Sequence, residues 1–336
     1  MEVLAGDIGG TKTLLLLARV ERDTLVPIAR QRYDSSAYED LAPMVRDFLT
    51  AHEAEGIRIA AAGFALAGPV EREDGREHAR LTNLPWQLDS EGLKRSLGIP
   101  RVGLLNDFEG IAHSLDDLPP EHLHPLQTVP PQPQGTQLVV GAGTGLGVCI
   151  VAPGRPVRLI PTEGGHAGFA PADERQARLW AHIARSEGRC TREHLLSGRG
   201  LGRIARFLAE VEGVRAGDEL SAALASVDPA AAEITRLGLE GKDPVALETL
   251  KLFSALYGGQ TGDLALACLP FGGVYIAGGI APRLLPVLQS GAFMEAFVDK
   301  PPMSRLLERM PVQEIGYTDA GVLGAARLAA ELAEGY

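Results

Sequence analysis

Three short polar stretches carry residue types able to do chemistry, and each interrupts an apolar run. Gly6-Asp7-Ile8-Gly9-Gly10-Thr11-Lys12 follows Val3, Leu4 and Ala5 and leads into residues 14–18, again apolar. A strand, a Gly-rich turn with one carboxylate and one hydroxyl, and a second strand make a hairpin that can wrap an anion, Asp7 facing the metal ion that accompanies phosphates. Glycines permit positive φ there, and without Cβ atoms the backbone N–H groups can approach phosphate oxygens. The same letters also describe an ordinary hairpin with a polar tip. Asn106-Asp107 closes the apolar run 102–105. Strand ends of open α/β sheets are where ligands bind, although an Asp there equally serves as the cap of a helix over 108–114. Glu163-Gly164-Gly165-His166 reads either as a polyol clamp, with Glu accepting from hydroxyls and His donating or accepting, or as an exposed turn.

These stretches need strands to aim them. Residues 2–33 alternate apolar runs with polar turns and read as an antiparallel meander. Leu41, Met44, Val45, Phe48 and Leu49 at helical spacing predict a helix over 38–54. Buried strands follow at 57–66 and 102–105, with a charged hairpin over 71–80 and a helix over 88–97 capped by Asp89 or Ser90. Residues 118–135 hold Pro119, Pro120, Pro125, Pro130, Pro131 and Pro133, which exclude a helix and predict a surface connection. His122 and His124 decorate it, with no third ligand spaced to make a metal site.

After this connection the opening pattern recurs. A strand over 137–140, the turn Gly141-Ala142-Gly143-Thr144-Gly145-Leu146-Gly147 and strands over 148–151 and 157–161 repeat the architecture of residues 3–18, which predicts two related halves. Helices are expected over 172–187, 191–197, 200–211, 219–226, 229–239 and 244–267. A buried strand over 272–277 then ends at Gly278-Gly279, followed by helices over 281–288 and 319–332, the last returning to the first domain. None of the Gly-rich turns has the Gly-x-x-x-x-Gly-Lys-Ser/Thr pattern, and the first opens a strand, which excludes the dinucleotide fingerprint.

With 336 residues, two domains are the default. A net charge of −11 argues against nucleic acid or an anionic membrane as partner. Cys149, Cys190 and Cys268 fit neither a disulfide framework nor a metal cluster, and no run reaches the roughly 18 apolar residues of a membrane span. A cytoplasmic protein is the expectation, with no leader visible in the first residues.

Gly6-Asp7-Ile8-Gly9-Gly10-Thr11, Leu105-Asn106-Asp107-Phe108, residues 141–147, Glu163-Gly164-Gly165-His166-Ala167-Gly168, Leu196-Ser197-Gly198 and Tyr275-Ile276-Ala277-Gly278-Gly279-Ile280, in this order, resemble the bacterial glucokinases of the hexokinase–actin–Hsp70 ATPase superfamily. The resemblance implies an α/β fold of two ribonuclease-H-like domains with a cleft between them, residues 1–112 plus about 317–336 forming one and 113–316 the other. It implies ATP-dependent phosphorylation of glucose at the 6-hydroxyl. The implied sugar ligands are Asn83, Asn106, Asp107, Glu163, His166 and Glu193, with Asp107 as general base. Gly6, Asp7, Ile8, Gly9, Gly10, Thr11, Gly143, Thr144 and Gly145 correspond to the phosphate loops, Gly278 and Gly279 to the adenosine loop, and Asp7 to the residue that holds Mg²⁺. A homodimer is implied as well. Clustered cysteines after the Gly-His motif are lacking, which assigns the chain to the zinc-free branch. A broader sugar acceptor and a non-catalytic sugar-binding regulator on the same scaffold stay open.

Overall fold

The computed structural model describes the whole chain outside residues 55, 82–83 and 227–229. It divides into two units, one of Met1–His122, Gly154–Leu159 and Tyr317–Tyr336, the other of Leu123–Pro153 and Ile160–Gly316. The break expected at residue 112 thus falls after His122. Residues 113–122 stay with the first unit because His113 Nε2 lies 3.1 Å from Glu331 and Asp117 accepts 2.7 Å from Arg327 Nε.

In the first unit, β1 (Glu2–Ile8), β2 (Lys12–Glu21) and β3 (Thr24–Asp34) form the expected meander. Helix α1 (Leu41–Ala51) is shorter than its periodicity suggested because Asp40 caps it, accepting 2.7 Å from Leu41 N–H. Strand β4 (Ile59–Leu66) leads to a small antiparallel sheet of β5 (Val70–Glu73), β6 (Arg76–Arg80) and β7 (Gln87–Asp89). Helix α2 (Ser90–Leu97) starts at an Asp89 cap and stops at Gly98, whose φ of 66° admits glycine readily. Strand β8 (Val102–Asn106) and helix α3 (Asp107–His113) complete it. The main sheet runs β3-β2-β1-β4-β8, with β1, β4 and β8 parallel. Leu4, Ile8, Phe48 and Phe64 fill one face, while the C-terminal helix (Ala320–Glu334) seals the other over Val3, Ala5, Leu14 and Ala65.

The second unit contains β9 (Leu123–Gln127), β10 (Gln137–Ala142), β11 (Leu146–Ala152) and, from Ile160 on, β12 (Arg158–Thr162). Helices α4 (Glu174–Glu187), α5 (Arg192–Leu195), α6 (Gly198–Glu210), α7 (Asp218–Ala225), α8 (Ala231–Leu239) and α9 (Pro244–Cys268) follow. The unit ends with β13 (Gly273–Ala277), α10 (Ala281–Leu288), α11 (Ala292–Val298), α12 (Ser304–Leu307) and β14 (Val312–Ile315). Its sheet order, β12-β11-β10-β13-β14-β9, repeats that of the first unit with one strand added. That strand corrects the reading of 118–135 as connection alone: β9 pairs antiparallel with β14, and Pro125 sits opposite Gln313. A proline is tolerated there because β9 is an edge strand whose outer side needs no N–H. Among the described residues no helix is long and apolar enough to cross a membrane.

Strand β14 also buries a charge. Glu314 pairs in register with His124, whose Nε2 lies 4.0 Å from its carboxylate, yet among the described residues neither Glu314 oxygen has a hydrogen-bond partner. Burial raises its pKa to about 7. An acid whose folded pKa is raised contributes stability below its unfolded pKa and loses it as pH climbs through the folded one, here on the order of 3 kcal/mol in all. Glu314→Gln is therefore expected to melt near the parent at pH 5 and several degrees above it at pH 8.5. Thermal denaturation across that range checks this, and a variant that gained nothing at alkaline pH would refute it.

Candidate functional site

In the first unit the alternation of β1 puts Val3, Ala5 and Asp7 on the face covered by the C-terminal helix. Asp7 comes at the open end of that row, where the helix begins with Ala320 and Gly321. A Cβ on Gly321 would lie 2.8 Å from Asp7 Oδ2, so only glycine leaves the carboxylate its place. Asp7 pairs with Leu14 and Leu14 with Arg32, which aligns the guanidinium two strands away. Between them stands Asp319, 5% exposed, bound by Arg32 and by Arg30 Nη1 at 2.9 Å. Asp319 thus absorbs both arginines. Asp7 has its pKa raised to about 6, first by desolvation, then by the charges of Asp107 and Asp319, against a smaller opposing effect of Arg32.

The turn itself is Gly9-Gly10-Thr11. Gly9 N–H donates to Lys12 C=O at 3.0 Å, and Ser35 braces the turn from β3's end, donating its hydroxyl to Gly9 C=O at 2.8 Å and its N–H to Thr11 C=O at 3.0 Å. Positive φ is not what its glycine supplies: Gly9 has none, and a Cβ there would instead sit 3.0 Å from Lys12 C=O. Gly6 and Ile8 correct the expectation of a cradle running from residue 6, since both are buried in β1, Gly6 beneath Phe64 and Leu15. Lys12 is solvent-exposed at the start of β2.

Asn106 and Asp107 divide two tasks. Asn106 is the cap of α3: its side-chain oxygen accepts from Phe108 N–H at 2.9 Å and its amide donates to Gly68 C=O at 3.0 Å. Glu109 completes the capping box by accepting from Asn106 N–H at 2.9 Å. Asp107 is released from capping and stands at the first position of α3, accepting 2.8 Å from Phe108 N–H. Its surface is open to water, yet the surrounding protein removes enough solvation to raise its pKa. Asn83 lies outside the described residues.

In the second unit the turns at 143–145 and 278–279 come together. Gly278 has φ 86°, and a Cβ on it would lie 2.4 Å from Ala142 C=O, which accepts from Ile280 N–H at 3.2 Å. Gly143 C=O accepts from Gly198 N–H at 2.9 Å, bringing the start of α6, capped by Ser197, to the same turn. Thr144 and Gly279 are exposed at the tips. A helix N-terminus beside Gly-rich turns is a ready anion site. Glu193 braces this turn with one carboxylate oxygen, which accepts from Leu146 N–H at 2.9 Å and lies 2.5 Å from where a Gly145 Cβ would be. Glu163 and His166 flank a single 3-10 turn, both exposed, 3.8 Å apart. Their support comes from Arg192, which donates to Gly164 C=O at 3.1 Å and to Gln260 Oε1 at 3.0 Å.

Sequence reasoning missed three participants. Tyr257, wholly buried on α9, pins the end of β10 by accepting from Ala142 N–H and donating to Val140 C=O. Nothing in the periodicity of α9, apolar all round, marks it. Asp319 was read as a helix residue, and its pairing with Arg30 and Arg32 spans the length of the chain. Arg192 was visible only as the residue beside Glu193.

With this geometry in hand, the chain can be compared with known proteins. A family model described as Glucokinase matches residues 4–332. A glucokinase of Nostoc punctiforme is 39% identical over 98% of this chain and 99% of its own. The chain belongs to the glucokinase family. A crystal structure of glucokinase from an Antarctic psychrotroph covers 98% of both chains at a TM-score of 0.87 and 26% identity. A glucokinase of the ROK family from Streptomyces griseus, in complex with glucose and AMPPNP, covers 98% of this chain and 100% of its own at 0.63; at 21% identity that likeness speaks to the fold alone. As a glucokinase-family member the protein is a sugar kinase with the actin-like ATPase fold.

Asp7 gives this family member a measurable stability signature. Its raised pKa is stabilising below about 4 and costs stability as pH rises through 6, on the order of 1–3 kcal/mol. Asp7→Asn is expected to melt at a higher temperature than the parent at pH 7.5 without ligands, the gain fading by pH 4. An unchanged or lowered midpoint at pH 7.5 would contradict this environment.

Proposed function

We propose that the protein transfers the γ-phosphoryl group of ATP to the 6-hydroxyl of D-glucose in the cytoplasm, supplying glycolysis, with Asp107 as general base. The observation that carries this is the division of labour at the end of β8: Asn106 takes the helix cap, leaving Asp107 a carboxylate of raised pKa at the sheet's open end. A sugar hydroxyl is a weak nucleophile, and a base whose pKa is lifted toward the working pH is better matched to accept its proton. The new O–P bond forms as the bond to the leaving ADP oxygen breaks, and the hydroxyl proton passes to Asp107.

Gly9, Gly10, Thr11 and the turn at 143–145 carry the backbone donors suited to phosphate oxygens, and Gly278 and Gly279 those suited to the nucleoside side. Asn106 enters this reading chiefly as the residue that aims Asp107, with one amide hydrogen left for a sugar hydroxyl. Glu163 and His166 are exposed and adjacent, as sugar ligands must be, and Glu193, which braces the 143–145 turn with one carboxylate oxygen, has its other oxygen for a sugar hydroxyl.

Mg²⁺ fits Asp7. Among the described residues no three His, Cys, Asp or Glu side chains come together as a metal site. A cation that keeps its waters and takes one carboxylate plus substrate phosphates needs no such cluster, and Asp7 is a carboxylate whose neighbouring charges favour a cation. When bound, Mg²⁺ neutralises charge on the phosphates.

A coupled assay with a panel of sugars and ATP tests the reaction, with glucose expected to be the preferred acceptor. Asp107→Asn is expected to lower kcat by about 10²–10⁴-fold while calorimetry still registers glucose. Asp7→Ala is expected to abolish transfer and leave glucose affinity within a few-fold of the parent. Glucose binding with no ADP formed by the parent protein would replace the kinase reading by that of a sugar-binding regulator, and Asp107→Asn retaining turnover would remove the base.

A further inference from the structure

Strand β8 is the last strand of its sheet, so one side of it has backbone groups with no neighbouring strand. Such an edge invites slippage and is normally covered. Here charged side chains close it. Glu77, on β6, accepts from Leu104 N–H at 2.6 Å; Arg72, on β5, reaches Leu104 C=O with Nη2 at 3.4 Å; Glu109, on α3, accepts from Asn106 N–H at 2.9 Å. The three also bind one another. Arg72 makes a two-pronged contact with Glu109, Nη1 to Oε1 at 3.1 Å and Nη2 to Oε2 at 3.0 Å, and its Nε lies 3.6 Å from Glu77. Glu109 is buried, with its side chain 6% exposed.

Glu109 is buried but Arg72 is 42% exposed, and an ion pair with one partner in water adds little stability. What a fully bonded pair gives is a fixed geometry. Its anchor points are Leu104 and Asn106, the residues leading directly to Asp107. We propose that Arg72, Glu77 and Glu109 are positioning residues for phosphoryl transfer: they close the edge of β8, fix the Asn106 cap and so hold the Asp107 carboxylate in one orientation. This rests on Asp107 being the base, and the test separates the two ideas.

Arg72→Met removes both prongs and Arg72→Lys keeps the charge with one point of contact. Steady-state kinetics of the full chain are measured in the parent and Asp107→Asn backgrounds, with melting curves for every variant. Arg72→Met is expected to lower kcat about 10–100-fold, as a misplaced reactive group does, with the ATP KM within about twofold. Arg72→Lys recovers part of that loss. In the Asp107→Asn background the same Arg72→Met change is expected to cost less than about twofold more, since there is no base left to misplace. Equal losses in both backgrounds, or a folded Arg72→Met with parental kcat, would overturn the proposal. If Arg72→Met does not fold, Arg72→Lys and Glu109→Gln enter the same cycle with the same criteria. Should Asp107→Asn alone keep parental turnover, the base assignment fails, whatever the Arg72 variants do.

Discussion

The first unit depends on a helix that must lie almost against the backbone of a sheet. The C-terminal helix reaches Val3, Ala5 and Ala65 only because every surface in the contact is small. A Cβ on Gly63 would lie 2.1 Å from Ala325 C=O, and one on Gly324 would lie 1.8 Å from Gly110 C=O. Ala325, Ala326 and Ala329 fill what is left. Individually these residues bury little apolar area, so the seat gains from close backbone contact and dispersion rather than from large side chains. Its consequence is electrostatic. The close approach carries the helix's first turn, with its positive dipole end, to the carboxylate of Asp7.

The two units then solve the same topological problem differently. Both sheets start with three antiparallel strands and continue with two parallel ones, and both turn a Gly-rich hairpin at the top of the first pair. They differ at the far edge. In the second unit β9 covers β14 with backbone hydrogen bonds, and Glu314 is left beneath it as an isolated buried acid. In the first unit no strand among the described residues covers β8, and Arg72, Glu77 and Glu109 supply donors and acceptors in its place. A strand would fix the whole edge uniformly, whereas side chains fix it at Leu104 and Asn106, beside the proposed base.

How much of this was legible in the sequence follows from the range of the interactions. Helices α2 and α10 and strand β13 were readable within a residue or two because caps and periodicity are local: Asp89 starts α2, and Gly98 stops it. The recurrence of the hairpin at 141–147 was also local and survived intact. Strand β14 was not readable, since its four residues gain their conformation from β13 and β9 rather than from any period of their own. Strand β9 was hidden by prolines that only an edge position excuses. The site residues divide in the same way. Asp7, Asp107 and the glycines were visible from their place at strand ends, while Tyr257, Asp319 and Arg72 act across dozens to hundreds of residues and leave no local trace.

Sequence alone left Asp107 balanced between cap and base, and the structure gives the cap to Asn106. A cap needs a short side-chain acceptor one residue before the helix, and Asn meets it without a charge. The following position, Asp107, shares the Phe108 N–H with that cap, accepting at 2.8 Å, and is exposed to solvent. Placing Asn first and Asp second therefore gives the cap to the neutral group and leaves the ionisable one at the first position of α3, as the proposed base requires. Asp7 and Asp319 follow the same logic on a larger scale. Two arginines are available, and both go to Asp319, which holds the start of the C-terminal helix. Asp7, with the weaker compensation, keeps a raised pKa and a standing preference for a cation. Raised pKa values at Asp7 and Asp107, caused first by desolvation, are the kind of perturbation on which the proposed chemistry rests.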